Sequence, residues 1–317
     1  MNIKRAQIYM MLGIGLLLSI SGFISSGWAD EQDVFSFVSR EIVDGRHPII
    51  LMDTQGKILQ KLVIPGPKHL SFSWAPDGDS FAYHAIHDEI FGLNFDIYVA
   101  DVKTKTIRQV TLDGGQDIFP AWSPNGKWIS FASNRTGNSE LYRIDVDGGN
   151  LIQLTKGQDC DRSAWSPGSQ WIAFTSRATL FVMDAEGGRL RQLAANLPLP
   201  DCAWSPDGKK IVFATNFGIF RIDADGKNRH QLTGLDQQEV LWDLAWSPSG
   251  KWIIYRFSGG SVLWILDTTG NEGGKPLEKT RGLVRGRLDW VPQGFLSVSP
   301  SAEKQTTLWG RLKQTSK

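Results

Sequence analysis

The sequence predicts an all-β protein, a six-bladed β-propeller built from four-stranded blades. A Trp-x-Pro motif occurs six times, at spacings of 48, 43, 39, 42 and 44 residues, and these are the periods of propeller blades. The chain also contains 13 tryptophans and 33 glycines. This composition is typical of many short strands joined by tight turns, with large rings packed between them.

Each repeat carries the same four strand signals. The first strand ends at the motif's tryptophan, and a turn follows in which Pro presets φ while Asn, Asp and Gly tolerate the left-handed region. Apolar residues seven and nine positions after the tryptophan alternate as in a second strand. A third strand ends in Asp, as in residues 141–145, and a Gly-containing hairpin leads to a short fourth strand, as in residues 152–155. The six anchor tryptophans are Trp74, Trp122, Trp165, Trp204, Trp246 and Trp290.

The two ends of the chain are expected to complete the ring together. Residues 35–39, 49–53 and 57–62 form a repeat that lacks its anchor strand, and residues 288–290 supply a sixth anchor strand. Their pairing covers strand edges that would otherwise be exposed. Seven blades is the alternative, because residues 295–298 and 308–312 resemble weak further strands. We assign residues 295–317 to a C-terminal tail and residues 30–294 to the propeller.

The N-terminus has the features of a signal peptide. Lys4 and Arg5 precede an apolar run from residue 8 to 20, and Gly27 and Ala29 satisfy the small-residue rule for cleavage. We expect residues 1–29 to be removed after Ala29 and the mature protein to be periplasmic or extracellular, without stable membrane insertion. An uncleaved anchor is the alternative, although the strongly apolar part is shorter than the roughly 20 residues of a spanning helix.

Charge and motifs restrict the classes of function. The formal net charge of +1 provides no overall field for binding nucleic acid, so we expect no nucleic-acid partner. The sequence contains no G-x-S-x-G elbow, no phosphate-binding loop and no H-E-x-x-H motif. The chain is therefore predicted not to be an enzyme.

The repeats resemble the WD40-like (PD40) repeat of the TolB family. The resemblance rests on the pattern D-x-x-P-x-W-S-P-D-G-K, an I-x-F-x-S strand, an I-Y-x-x-D strand and a final R-Q-L-T, and it is clearest in residues 117–133 and 200–215. It covers about residues 34–292 and implies a propeller fold, while propellers host unrelated functions. Some family members carry an α/β domain before the propeller. Residues 30–33 are too few to form such a domain, so we expect the propeller alone.

The anchor tryptophans have two interpretations. A row of exposed rings would suit a sugar or a peptide, but recurrence at equivalent places in every blade favours packing between blades. We therefore treat all six as structural anchors. Trp128, Trp171 and Trp252, each six residues after an anchor, receive the same interpretation.

Acidic residues gather just before the anchors, where each innermost strand is expected to begin. A ring of carboxylates at one mouth of the central channel would attract a basic peptide or hold Ca²⁺. The alternative is local, because Asp at a strand entry caps backbone N–H groups. The candidate partner-binding residues are Asp117, Asp159, Asp161, Asp201 and Asp243, with Asp289 at the sixth anchor.

His84 and His87, followed by Asp88 and Glu89, form a weak candidate metal site. In a strand, residues three apart point to opposite faces, which counts against joint ligation. No cofactor is expected, with a divalent cation such as Ca²⁺ as the alternative. Cys160 and Cys202 have opposite strand parity in neighbouring blades, which favours buried free thiols over a disulfide.

The function that these features favour is an exported, monomeric scaffold that binds an unidentified protein or peptide. The repeats account for nearly every distinctive residue of the chain and leave no catalytic grouping. The alternative is a small metal-assisted lyase or hydrolase that acts on an extracellular polymer. The sequence identifies neither the partner nor the type of host envelope.

Overall fold

The computed structural model describes residues 33–64, 69–88, 94–112, 115–195, 201–234, 240–271 and 273–292. These residues form six antiparallel sheets of four strands, and the innermost strands contact one another in a closed ring. The fold is a six-bladed β-propeller, which confirms the prediction. The predicted signal peptide, the C-terminal tail and both extra strands of the seven-blade alternative lie outside the described residues.

The first three strands and the first two complete blades follow in chain order. The three N-terminal strands are β1 (Val34–Ser39), β2 (Ile49–Asp53) and β3 (Ile58–Leu62). Blade 1 contains, from the channel outward, β4 (His69–Trp74), β5 (Ser80–Asp88), β6 (Asn94–Asp101) and β7 (Ile107–Gln109). Blade 2 contains β8 (Asp117–Trp122), β9 (Trp128–Ser133), β10 (Glu140–Asp145) and β11 (Ile152–Gln153).

The remaining blades repeat this order. Blade 3 contains β12 (Cys160–Trp165), β13 (Trp171–Ser176), β14 (Thr179–Asp184) and β15 (Arg191–Ala194). Blade 4 contains β16 (Cys202–Trp204), β17 (Lys210–Thr215), β18 (Gly218–Asp223) and β19 (His230–Gly234). Blade 5 contains β20 (Leu241–Trp246), β21 (Trp252–Phe257), β22 (Leu263–Asp267) and β23 (Lys275–Leu277). A 3₁₀ turn (Glu278–Thr280) precedes β24 (Val284–Trp290).

Blade 6 is completed from both ends of the chain, as predicted. Its strand order is β24-β1-β2-β3, and in the β1–β24 pairing Phe35 lies opposite Trp290 and Phe37 opposite Leu288. The backbone N–H of Val291 donates to the carbonyl of Val34 at 2.8 Å. Because β1 lies between β24 and β2, neither of its edges is left unpaired.

The core lies between blades rather than within any one of them. Six clusters of buried residues are present in the described chain, one at each interface between neighbouring blades. Both faces of a blade are therefore covered, and strands such as β2 and β9 are accordingly buried along nearly their whole length. At the interface of blades 6 and 1, Trp74 and Phe81 pack edge to face at 5.5 Å.

Three of the six anchor tryptophans connect neighbouring innermost strands. The indole N–H groups of Trp165, Trp204 and Trp290 donate to backbone carbonyls of the preceding blade at 3.1, 3.1 and 3.0 Å. These three rings and that of Trp74 are buried, whereas Trp122 and Trp246 are half-buried. The structure thus places the anchors at the contacts that hold the ring together around its channel.

The hairpin after four of the six anchors is closed by a serine hydroxyl. In blade 2, the backbone N–H of Trp128 donates to Ser123 Oγ at 2.9 Å, and the same contact joins Trp171 to Ser166 in blade 3 at 3.0 Å. Gly126 has φ +76°, a left-handed conformation that glycine adopts without steric cost. The motif W-S-P-N-G is therefore a local turn signal.

Candidate functional site

Every innermost strand begins at the same face of the ring, here called the entry face. Because neighbouring strands of a blade run antiparallel, the hairpins between second and third strands lie at this face too. The hairpins between first and second strands, and between third and fourth strands, lie at the opposite face. All five acidic candidates precede or begin an innermost strand, so the structure places them at the entry face or just inside the channel.

Two of these carboxylates converge on a buried arginine. Arg162 Nη1, on β12, lies 3.0 Å from Asp201 Oδ2 and 2.8 Å from Asp243 Oδ1. Asp201 precedes β16 and Asp243 belongs to β20, so one guanidinium joins blades 3, 4 and 5. Asp243 also accepts from Arg256 Nε at 3.1 Å. The exposed fractions of Asp201 and Asp243 are 3% and 1%, so neither carboxylate faces solvent at the mouth.

The network favours the charged forms of Arg162 and Asp243. Burial alone would lower the pKa of the Arg162 guanidinium, but Asp201 and Asp243 together outweigh burial and raise it. Burial likewise would raise the pKa of Asp243, but Arg162 and Arg256 outweigh it and hold that pKa below its ordinary value. The carboxylates are thus committed to internal ion pairs.

Asp117 also forms an internal ion pair. It is fully buried at the start of β8, and Arg135 Nη2 lies 3.0 and 2.8 Å from its two carboxylate oxygens. The arginine belongs to the hairpin between the second and third strands of blade 2, so this pair fixes that hairpin against the innermost strand. This ion pair differs from both sequence interpretations, an exposed acidic ring and the capping of backbone N–H groups.

Asp159 and Asp161 are the two exposed members of the predicted group. Asp159 has a left-handed backbone with φ +58°, directly before β12, and Asp161 follows two residues later. Partial burial of the Asp161 carboxyl group raises its pKa, and the nearby carboxylate of Asp159 raises it further. The exposed negative charge of the predicted group is therefore concentrated in blade 3.

Large apolar side chains are exposed on the same face, and sequence reasoning did not single them out. Trp242, at the start of β20, is 47% exposed, and Phe217, in the hairpin between β17 and β18, is 61% exposed. The carbonyl of Trp242 accepts from Arg162 Nη1 at 2.9 Å, which places Trp242 beside the residue that follows Asp161. The sequence contains one signal that could have identified them: neither aromatic residue belongs to the repeat pattern.

The innermost strand of the closing blade carries a carboxyl group beside its anchor tryptophan. Asp289 precedes Trp290, at the place where the other innermost strands have Ser or Ala. Burial raises the pKa of Asp289 to about 6, against the opposing effect of Arg287. The backbone N–H of Trp74 donates to Asp289 Oδ2 at 3.2 Å, so this carboxyl group joins blade 6 to blade 1.

The structure places His84 in a buried aromatic setting. The backbone N–H of Phe119 donates to its Nδ1 at 3.3 Å, and the rings of Phe95 and Phe119 stand perpendicular to the imidazole. The side chain of His87 lies outside the described residues, and no group of three or more potential metal ligands is found among the described residues. A metal at this site stays a prediction.

The two cysteines are buried free thiols, as their opposite strand parity predicts. Burial raises the pKa of Cys160 to about 12, and burial likewise raises the pKa of Cys202. Both thiols are therefore held in their neutral, unreactive form at ordinary pH.

Within the described part of the chain, no helix is long and apolar enough to span a membrane.

Comparison with known proteins establishes the family. The model of the TolB β-propeller domain, PD40, matches residues 33–291, and the chain belongs to this family. A TolB crystal structure from Acinetobacter baumannii is similar over 82% of this chain and 67% of that chain, with a TM-score of 0.63 and 23% identity. At that identity the likeness shows the fold alone.

Two curated relatives are similar over shorter stretches. An uncharacterized protein of Agrobacterium fabrum is 32% identical over 118 residues, which are 37% of this chain and 39% of that protein. The uncharacterized peptidase YuxL of Bacillus subtilis is 31% identical over 85 residues, which are 26% of this chain and 13% of that peptidase. The chain therefore spans about two fifths of the first relative and a smaller part of the second.

Proposed function

We propose that the protein is a binding scaffold whose entry face holds a partner protein. The observation that carries this proposal is that exposed acidic and aromatic side chains share the entry face, with Asp159 and Asp161 in blade 3, Phe217 in blade 4 and Trp242 in blade 5. Exposed aromatic residues are enriched at protein interfaces. The carboxylates complement a basic segment of the partner and select its orientation.

A rigid support underlies this surface. Arg162 lies between the exposed Asp161 and the buried Asp201 and Asp243, and its guanidinium carbon is 5.8 Å from the ring centroid of Trp242. The same network therefore fixes the backbone that presents the carboxylates and the aromatic ring. A preorganised surface loses little conformational entropy when a partner binds.

Matched charge-removal variants test the entry face. Removing both charges in Asp159→Asn/Asp161→Asn is expected to abolish or strongly weaken partner capture from the host envelope, with unchanged thermal unfolding, because Asn tolerates the left-handed backbone of Asp159. The control is Asp147→Asn/Asp225→Asn, which removes the same charge from exposed residues at the opposite face. Capture that survives the first variant, or fails equally in the control, would contradict the site assignment.

We further propose that the protein acts outside the cytoplasm after cleavage behind Ala29. The basic, apolar and small-residue order of the N-terminus supports this proposal. N-terminal sequencing of the protein isolated from its host should find Asp30 first, whereas a chain that begins at residue 1 would exclude cleavage.

The enzyme alternative, a metal-assisted lyase or hydrolase, ranks second. Its support is the similarity to YuxL, a named peptidase, over 85 residues. Elemental analysis of the purified protein tests it: a stoichiometric divalent metal would favour the alternative, and a metal-free protein that still captures its partner would favour the scaffold.

A further inference from the structure

A second feature lies inside the channel, at the position three residues before each anchor tryptophan. Side chains at this position converge from different blades. The guanidinium carbon of Arg162 lies 4.8 Å from the ring centroid of Phe119. Its Nη1 lies 3.0 Å from a carboxylate oxygen of Asp201 and 2.8 Å from one of Asp243. We call the six residues at this position the channel layer: Ser71, Phe119, Arg162, Asp201, Asp243 and Arg287.

A side chain of the channel layer reaches the blade that follows its own. Asp201, before the innermost strand of blade 4, accepts from the backbone N–H of Leu244 in blade 5 at 3.1 Å. Arg287 in blade 6 and Ser71 in blade 1 have the same relation, because β24 and β4 are neighbouring innermost strands. The fold thus places these two side chains on adjacent strands, at the same distance from their anchors.

Both side chains have a buried polar atom without a partner. Ser71 is 2% exposed, and neither its Oγ nor Nη1 of Arg287 makes a hydrogen bond. Within the described part of the chain, Arg287 also forms no ion pair. Native proteins pair nearly all buried polar atoms with protein groups or with bound molecules. These two donors therefore identify a site for a group that accepts hydrogen bonds.

The ion-pair network beside this site is already balanced in charge. Arg162 and Arg256 supply two positive charges, and the carboxylates to which they are paired, Asp201 and Asp243, supply two negative charges. The positive charge of Arg287 is additional to this network. Because a buried charge without a counter-ion is unfavourable, the site favours an anion beside Arg287.

One further carboxyl group limits the charge of that anion. Asp289 follows Arg287 by two residues, and its oxygens accept from the backbone N–H groups of Trp74 and Trp290 at 3.2 and 2.8 Å. Burial raises the pKa of Asp289 to about 6, against the opposing effect of Arg287. When Asp289 is ionised it repels an anion, and it repels a divalent anion more strongly than a monovalent one.

A carboxylate matches the two donors of the site. A guanidinium binds a carboxylate through two parallel hydrogen bonds, and a serine hydroxyl donates to either oxygen. A carboxylate also has the single charge that the neighbouring Asp289 tolerates best. Arg287 is half-buried, so a ligand in the channel can reach its guanidinium.

We propose that the channel binds a carboxylate group between Arg287 and Ser71. The guanidinium neutralises its charge, and the Ser71 hydroxyl donates to one of its oxygens. The carboxylate belongs either to a free small acid or to the C-terminus of a peptide, and both sources present the same chemistry. The proposal is independent of the partner surface on the entry face, because the two sites share no residue and bind groups of opposite charge.

Proton NMR of formate in the presence of the full chain tests the proposal at pH 5.0, where Asp289 is mostly protonated. The formate resonance should broaden in a saturable way, with a dissociation constant of about 1 mM, as expected for so small a ligand. N-acetyl-glycylglycine and its amide distinguish the two sources. Binding of the peptide acid at least about tenfold tighter than formate, without binding of the amide, assigns the site to a chain end. Formate that binds as tightly as the peptide acid assigns it to a free acid. The absence of saturable broadening of either acid up to about 50 mM would overturn the proposal.

Variants of the two donors separate binding from folding. Arg287→Gln should weaken formate binding at least about tenfold, and Ser71→Ala about fivefold, the values of a charged and a neutral hydrogen bond. Neither should lower the Tm, because the atoms removed have no partner in the fold. The control Arg108→Gln removes the same charge from an exposed residue of the outermost strand of blade 1 and should bind formate like the unmodified chain. Unchanged affinity in both Arg287→Gln and Ser71→Ala, an equal loss in the control, or displacement of formate by equimolar chloride would overturn the proposal.

Discussion

At the scale of single residues, Arg162 connects blades 3, 4 and 5 with one guanidinium. Its replacement in Arg162→Met leaves two buried carboxylates without a shared cation, and the expected loss is about 3–5 kcal/mol in the free energy of unfolding. Urea unfolding measures this value. Arg177→Met, at an exposed hairpin tip, is the control and should change stability by less than about 0.5 kcal/mol. A loss below about 1 kcal/mol for Arg162→Met would contradict the network's role.

Asp289 makes the stability of the ring depend on pH. Its folded-state pKa is raised to about 6 from an ordinary 3.8, so the folded chain binds the proton more tightly than the unfolded chain. The resulting cost is absent below about pH 4, grows between pH 4 and 6 and reaches at most about 3 kcal/mol above pH 6.

The variant Asp289→Asn removes this pH-dependent cost. Relative to the unmodified chain, it should become more stable as the pH rises from 4.5 to 7.5, although it loses one of the two backbone hydrogen bonds that the carboxylate accepts. Unfolding curves at several pH values measure the difference. Parallel pH profiles of the two proteins would show that Asp289 titrates normally.

Residue roles were only partly predictable from the sequence. The sequence shows acidic residues before the anchors, but it does not show that Asp201 and Asp243 pair with Arg162 across 39 and 81 residues of sequence. Periodicity contains no information on such contacts, because they join blades through the channel. Phe217 and Trp242 were missed for a related reason: a repeat pattern predicts buried positions and does not rank the exposed ones.

At the scale of elements, the strands were predicted well wherever both faces are buried. Strand β2 has the predicted bounds, and β10 begins one residue earlier than predicted. The outer strands were less accurate: β11 contains only Ile152–Gln153, where residues 152–155 were expected. An outer strand is exposed along one edge, so its apolar alternation is weaker.

Ring closure provides the prediction at this scale. Deletion of residues 1–32 should leave the free energy of unfolding within about 0.5 kcal/mol, because β1 remains paired with β24. Deletion of residues 1–39 removes β1, with the fully buried Phe35, Phe37 and Val38, and should abolish cooperative unfolding. Circular dichroism melting distinguishes the two chains. A cooperative transition at an unchanged Tm in the shorter chain would contradict the closure.

At the scale of the whole molecule, the two faces of the ring differ in what they expose. The entry face exposes Asp159, Asp161, Phe217 and Trp242 above buried ion pairs, whereas an exposed apolar residue of the opposite face, Leu190, is aliphatic. The repeat signal predicted the ring, its blade number and its closure, because all three follow from local patterns that recur. The exposed surfaces are formed by residues that depart from the repeat pattern, and only the structure shows which of these residues lie together.

The central claim is that a partner protein binds the entry face. Site-specific photocrosslinking tests it most directly, with a photoreactive phenylalanine placed at Phe217, at Trp242 and, as a control, at the exposed Leu190 in the β14–β15 hairpin of the opposite face. The account predicts one common crosslinked protein from positions 217 and 242 and none from position 190. A crosslink formed equally at all three positions, or at position 190 alone, would contradict it.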